Sequence, residues 1–510
     1  MKNKLTLVLG VFALFNLSAQ TAGSLDNTFG NSGKVLSGLF HVQEAYDMAV
    51  QPDGKIVIAG RAKALSTGSD YNFYAIRFNA DGTPDTGFGN NGAILIDIKG
   101  TNRFDQAYAI ALQSDGKIVL AGSAGLENNN GNCHAGFVRL TANGALDPSF
   151  GSGGIVSFPV GTNTTNPESR MYDVLIQPDG KILAGGMASN NSSFDDFALV
   201  RLNPDGTLDT DFSNDGKHTV DFGYVADFGS VLNLNSDGSI FLAGNTNEDL
   251  GIVKLFDYGA VDTSFGVNGK MTIDTGNGSY YLQGVAWQPD GKILVAGRTI
   301  ATNSNIKLNK YNPDGSADTS FGTDGVVETD VDSGSTDRAS RGLLVQSDGK
   351  IIVTGEVTTG STDYFMVLRY LENGALDNSF SNDGQVLTSF GVGFSAGYCA
   401  EFQPDGKLLV AGTYGYSSEW DVAVARYATG TLSTQSTAIP SLVMYPNPAQ
   451  DVVFVSQDGT VKIFELTGKK VLQADVTAGQ PIDVTALSPG TYLIELTGPT
   501  GSKVEKLIKK

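Results

Sequence analysis

QPDGKIVIAG, running from Gln51 to Gly60, decides the fold because it returns six more times along the chain. The copies are QSDGKIVLAG from Gln113, QPDGKILAGG from Gln177, NSDGSIFLAG from Asn235, QPDGKILVAG from Gln288, QSDGKIIVTG from Gln346 and QPDGKLLVAG from Gln403. Spacings of 53 to 64 residues mark a tandem array of one supersecondary unit. In each copy Pro-Asp-Gly or Ser-Asp-Gly gives a tight hairpin reversal, with Gly supplying the positive φ that other residues resist. The run that follows, such as Ile56-Val57-Ile58-Ala59, is continuously apolar, as in a strand covered on both faces. The run before it alternates, with Met48 and Val50, Ile110 and Leu112, and Val174 and Ile176 in matching apolar places.

A second motif interleaves with the first. It reads LDNTFGNSG from Leu25, PDTGFGNNG from Pro84, LDPSFGSGG from Leu146, LDTDFSNDG from Leu208, VDTSFGVNG from Val261, ADTSFGTDG from Ala317 and LDNSFSNDG from Leu376. Each introduces a further strand. A fourth strand per unit ends near one cation: Arg77, Arg139, Arg201, Lys254, Lys310, Arg369 or Arg426. Four-stranded units repeated radially predict an all-β, seven-bladed β-propeller. The array opens on a lone strand-one motif and closes at Tyr427 without one, so an N-terminal strand that completes the last blade (a Velcro closure) accounts for both ends. Both Asp-Gly turns then share one face of the disc, and the connections of variable length share the other.

The flanks read differently. Lys2 and Lys4 precede an apolar stretch from Leu5 to Leu17 and small residues to Ala22, the pattern of a secretory signal over residues 1–22. That stretch is too short to span a bilayer comfortably, and no other apolar run approaches ~18 residues, so no integral membrane segment is expected after cleavage. The net charge of −20 argues against a nucleic-acid partner, which needs a basic face. The two cysteines, Cys133 and Cys399, fall in non-neighbouring units and read as independent, partly buried thiols. Beyond the propeller (23–428), a Ser/Thr-rich linker (429–440) leads to short alternating strands over 441–510, read as a small C-terminal β-sandwich.

The repeated units, with Leu-Asp-x-x-Phe-Gly joined to Gln-Pro-Asp-Gly-Lys-Ile from Leu25 to about Tyr427, resemble delta-sixty β-propeller repeats. That resemblance implies a secreted or surface propeller and no set activity. Asn235 and Ser239 make the fourth copy the most divergent. The last 70 residues resemble the type A sorting domain of the type IX secretion system of Bacteroidetes. The matching residues are Tyr445, Pro446, Asn447, Pro448 and Ala449, then Leu466 to Lys469 with Gly468, then Gly490 and Tyr492 in LSPGTYL, and finally Lys509 and Lys510. This implies export past both membranes, with the type IX machinery as partner. The terminal lysines are expected to form an exposed cationic patch.

The segment from Asn203 to Asp209 looks superficially like part of a calcium loop, but Arg201 stands where the first carboxylate belongs. A latch between Asp209 and the strand-four cation is the better reading, and no metal or other cofactor is expected. His41, His134 and His218 share no motif, and no Gly-x-Ser-x-Gly or His-Glu-x-x-His occurs. Asp47, Asp173 and Glu401 lie on innermost strands, where carboxylates at the propeller mouth define the alternative of a secreted hydrolase or lyase. Asp47 and Asp173 alternate out of phase with the apolar set, as solvent-side residues do. Aromatics assigned to the variable-loop face are the binding candidates: Tyr71, Phe73, Tyr280, Tyr281, Tyr414, Tyr416 and Trp420. The leading expectation is a secreted, non-enzymatic propeller that binds a surface protein or glycan through that face. A purely structural matrix component is the third reading.

Overall fold

The computed structural model describes most of residues 20–430 and much of 444–509, leaving out 64–69, 101–102, 127–131, 192–193, 275–279, 300–303 and shorter stretches. The chain divides into two compact units, Met1–Thr431 and Leu432–Lys510.

In the first unit the described residues build seven four-stranded antiparallel blades, the first and the last joined into one eight-stranded sheet by a single parallel bridge between Val42 and Trp420. Blade 1 runs outward through Val42–Val50, Ile56–Lys63, Asn72–Phe78 and Ala93–Ile96. The innermost strands of blades 2 to 6 are Phe104–Leu112, Ser169–Ile176, Asp227–Leu234, Tyr280–Trp287 and Thr336–Val345. Blade 7 has Phe394–Phe402, Leu408–Tyr416 and Glu419–Tyr427, and its outer strand is the N-terminal Lys34–Leu36, paired antiparallel with Ala423 to Ala425. The N-terminal strand therefore closes the ring. Asp26 N–H donates to Arg426 O at 2.8 Å, and Ala428 N–H to Ser24 O at 2.9 Å. Burial follows the sequence pattern: Ile56, Val57, Ile58 and Ala59 are all fully buried, packed between adjacent blades.

The latch expected of Asp209 is present, and it recurs. Arg201 Nε meets Asp209 at 2.6 Å, and the equivalent cation–Asp pair forms in every blade, from Arg77–Asp85 to Arg426–Asp26. The turn lysine joins the same carboxylate in six copies, as Lys55 does with Asp85 at 3.0 Å. In the fourth copy Ser239 replaces that lysine. The guanidinium also stacks on the motif Phe, as Arg139 does on Phe150 at 4.7 Å, and donates to the next blade's turn at Pro204 O. One Asp thus ties two strands of its own blade together, while its cation reaches the neighbour. The repeated Asp is structural.

The last Gly of the repeat has a steric cause. Every innermost strand carries a β-bulge, between Ala45 and Asp47 in blade 1 and at the matching place in the other six. The bulge presses a backbone carbonyl against the second strand. A Cβ on Gly60 would lie 1.8 Å from Glu44 O, and one on Gly122 the same distance from Gln106 O. Gly60→Ala is therefore expected to lose ~1–3 kcal/mol, the usual cost of overpacking, read as an earlier denaturant midpoint.

The second unit is a small β-sandwich with its own core, including Val453, Val461, Ile463, Ile494 and Leu507. Its strands include Val452–Val455, Gly459–Glu465, Lys470–Val476, Gly490–Gly498 and Gly501–Lys509. The last of these corrects one expectation. Lys509 is buried at 9% exposure, paired with Gly490 and bridged to Ala449, because the closing segment is a full strand and not a free tail. Lys510 lies outside the described residues, so the exposed two-lysine patch is not what the structure has at Lys509.

Candidate functional site

The bulges decide what faces the channel. The residue each one ejects stands five places before the turn Gln: Tyr46, Tyr108, Tyr172, Ser230, Gln283, Arg341 and Tyr398. Blades 7, 1, 2 and 3 thus contribute a continuous arc of half-buried tyrosines. Ring centroids are 6.4 Å apart for Tyr398 and Tyr46, 5.4 Å for Tyr46 and Tyr108, and 5.1 Å for Tyr108 and Tyr172. Tyr46 Oη donates to Glu44 at 2.9 Å and Tyr108 Oη to Gln106 at 3.0 Å, while Arg61 holds Glu44 through two bonds at 2.7 and 2.9 Å.

Blade 6 is the exception. Ala339 stands seven residues before its turn Gln346, whereas Ala45 stands six before Gln51. The longer bulge spans Ser340 to Gly342 and sends Arg341 across the channel to blade 3. There Nη1 donates to Tyr172 O at 3.0 Å, and the guanidinium lies 5.4 Å from the Tyr172 ring centroid. Tyr398, Tyr46, Tyr108 and Arg341 line a cavity of about 520 Å³ at the loop-face end of the channel, with Gln283, Arg298, Arg338, Glu356 and Phe394, and Tyr172 stands next to Tyr108 at its margin. A larger cavity of about 730 Å³ at the opposite end is walled by the repeated turns, including Pro52 and Pro178.

Electrostatics separate the two ends of this wall. Burial raises the Tyr46, Tyr108 and Tyr398 hydroxyls and pushes Tyr172 up to about 12, so all four stay protonated donors at neutral pH. Asp47 and Asp173 are not the plain solvent-side residues expected. The bulge turns them toward the next blade, where Asp47 accepts Ile110 N–H at 3.0 Å and Asp173 accepts Leu232 N–H at 2.7 Å. They satisfy backbone donors that the innermost strands leave unpaired. Burial outweighs those bonds, pushing Asp47 up to about 7 and Asp173 to about 6.

Both folded values lie above the unfolded one, so this contribution to stability is complete below about pH 3.8 and is lost as pH rises through 6 to 7. Asp147, Asp262 and Asp318 of the latches, held near 2, act oppositely and lose their contribution as pH falls below that point. Asp47→Asn is expected to flatten the fall in melting temperature between pH 5 and pH 8, measured by calorimetry.

The loop-face aromatics fare unevenly. Phe73 is fully buried between blades 1 and 2, because it lies on the core-facing side of its strand, and it is corrected from a binding residue to a core one. Tyr71 is half-covered by Arg61 and Lys63 at 4.2 and 4.1 Å and packs edge-on to Phe104. Tyr414 leans on Phe390 and donates to Val392 O at 3.2 Å, and Trp420 packs tilted against Phe394 with ring centroids 5.1 Å apart. Tyr416 is 60% exposed. The side chains of Tyr280 and Tyr281 lie outside the described residues. Cys133 and Cys399 are both buried and free.

Comparison with known families gives two matches. The family described as a domain of unknown function (DUF5122) β-propeller matches residues 51–88, 113–150, 177–212, 288–321, 346–380 and 403–430. The secretion system C-terminal sorting domain matches 443–510. The chain is a DUF5122 propeller-repeat protein with a type IX sorting tail. This DUF5122 propeller is accordingly a secreted or cell-surface protein, handled by the type IX machinery through its tail. The fourth repeat lies outside the six matched stretches yet builds a blade with the common bulge. Within the tail, Tyr445 pairs through its backbone with Phe454, Tyr492 is buried with its hydroxyl on Ser488 O, Gly490 opens a strand and Lys469 is exposed. Pro446, Asn447, Pro448 and Gly468 lie outside the described residues.

A β-agarase D of Zobellia galactanivorans is 41% identical over 69 residues, which are 13% of this chain and 14% of that protein. Among solved structures, a streptogramin B lyase is similar at a TM-score of 0.42 and 12% identity, covering 78% of this chain and 98% of its own. The polysaccharide lyase Uly1 gives 0.42 and 10%, over 82% and 94%. A Trypanosoma rangeli sialidase gives 0.38 and 9%, over 93% and 88%. No activity transfers at such values.

Proposed function

We propose that this secreted propeller is a glycan-binding protein whose site is the tyrosine-lined mouth of the channel. The arc of Tyr398, Tyr46, Tyr108 and Tyr172 carries the reading. Adjacent aromatic faces flanked by fixed polar groups suit sugar rings, whose C–H faces are apolar and whose edges bear hydroxyls. Gln283, Glu356 and the arginines supply donors and acceptors at the rim. Binding is favoured over catalysis by the state of the candidate acid–base groups. The tyrosine hydroxyls are raised and so are poor bases at neutral pH, and Asp47 and Asp173, although pushed up to about 7 and 6, are outside the cavity lining and turned onto backbone N–H groups of the next blade. The exposed Tyr416 extends the same loop face.

The test is a glycan array probed with the mature chain, followed by titration of the best ligand. Tyr46→Ala and Tyr398→Ala are each expected to weaken binding about tenfold, or ~1.4 kcal/mol, as loss of one aromatic contact does. An array with no signal overturns the reading. Turnover of the bound glycan into unsaturated or reducing ends favours the hydrolase or lyase alternative.

A further inference from the structure

The channel mouth carries more positive charge than the rest of the molecule leads one to expect. The chain has a net charge of −20, yet this cavity is lined by Arg298, Arg338 and Arg341 against one carboxylate, Glu356. Arg338 and Glu356 form an ion pair. Among the described residues Arg341 forms no ion pair: its hydrogen bond to Tyr172 O goes to a neutral acceptor and leaves most of a guanidinium's five N–H donors for a ligand. It is also fixed in place. The one-residue extension of the blade 6 bulge carries it over the channel and the Tyr172 ring lies 5.4 Å away, while the Asp47 and Asp173 carboxyls, turned onto backbone N–H groups behind the cavity wall, lie outside its lining. An oriented guanidinium with free donors beside aromatic faces is a receptor for a planar or tetrahedral oxyanion on an otherwise apolar-faced ligand.

We propose that the channel mouth binds an anionic saccharide, with Arg341 holding a carboxylate or sulfate ester while the tyrosine arc stacks the ring bearing it. This rests on the glycan reading above and deepens it by assigning the ligand's charge. The volume of about 520 Å³ falls within the roughly 300–1,000 Å³ usual for small-ligand pockets, so a short segment of a polymer fits. The preference is built by a single inserted residue, since the six other blades present an uncharged side chain at the same position.

The experiment is calorimetric titration of the full mature chain with neutral galactan, polyuronate and sulfated galactan oligosaccharides of matched length. At least one anionic class is expected to bind ten times or more tighter than the neutral one, and to weaken as salt is raised. Which anionic arm binds tells a carboxylate from a sulfate. Arg341→Gln is expected to lose at least tenfold on the anionic ligand and clearly less on any neutral one, so that the preference between the two classes falls. Arg338→Gln, at a side chain 43% exposed, is expected to give a smaller loss and serves as the test if Arg341→Gln does not fold. Equal affinity for neutral and anionic oligosaccharides, or folded arginine variants that bind as the parent does, overturns the charge assignment and leaves the glycan reading standing. Silence in all three arms overturns both.

Discussion

Asp26→Ala is expected to open the ring. Asp26 is 1% exposed and pairs with both Arg426 and Lys407 at 2.8 Å, so the N-terminal segment is pinned to blade 7 by one carboxylate. Burial acts to raise its pKa, but hydrogen bonds from Lys407 and Thr28 and the charge of Arg426 overcome it and hold the carboxyl well below the usual range. Removing it leaves the buried Arg426 guanidinium without its carboxylate, while Lys407, about a third exposed, can turn to solvent; breaking a buried pair from one side costs ~3–5 kcal/mol. The other six latches join residues near in sequence; this one joins residues 400 apart and is the only latch whose loss releases a strand end. Asp26→Ala is therefore expected to lower the melting temperature more than Asp147→Ala does, and to expose Lys34–Leu36 to proteolysis before the rest of the blade. Equal destabilisation by the two variants counts against a special role for the closure.

Blade number and order were legible because turn chemistry is local. Pro-Asp-Gly fixes a hairpin wherever it occurs, and seven hairpins in register leave little choice of architecture. The Asp–cation latch was legible for the same reason, since both partners recur at constant offset. The channel wall was not. Straight alternation places Tyr46 on the same side as Met48 and Val50, among core residues, and Asp47 on the far side with solvent. The bulge between Ala45 and Asp47 shifts that phase, ejecting Tyr46 into the channel and turning Asp47 onto the neighbouring blade. Two signals were nonetheless present in the residues. Tyr recurs five places before the turn Gln in four units, and the sixth unit has one residue too many just where Arg341 stands. Phe73 failed in the opposite sense: an aromatic near a loop reads as exposed, but its place in the third strand buries it.

Deleting residues 441–510 is expected to stop secretion while leaving the propeller intact. The two units have separate cores: the cluster around Val453, Ile463 and Ile494 contains no residue before Ala449, and the propeller clusters end at Tyr427. Ring closure depends on the N-terminal strand and on Arg369, whose guanidinium donates to Thr429 O ahead of the deletion. The propeller is therefore expected to keep its stability without the tail. Cells carrying the truncated chain are expected to lose the protein from the supernatant and outer surface by tenfold or more and to retain it behind the outer membrane. The truncated propeller, recovered from there, should melt at the parent temperature and bind the same oligosaccharides. A core substitution such as Ile463→Asp, which buries a charge in the sandwich, should reproduce the retention without removing any residue. If the truncated chain reaches the medium as the parent does, the sandwich is not the address; if it is retained but no longer binds, the division of labour between the two units fails instead.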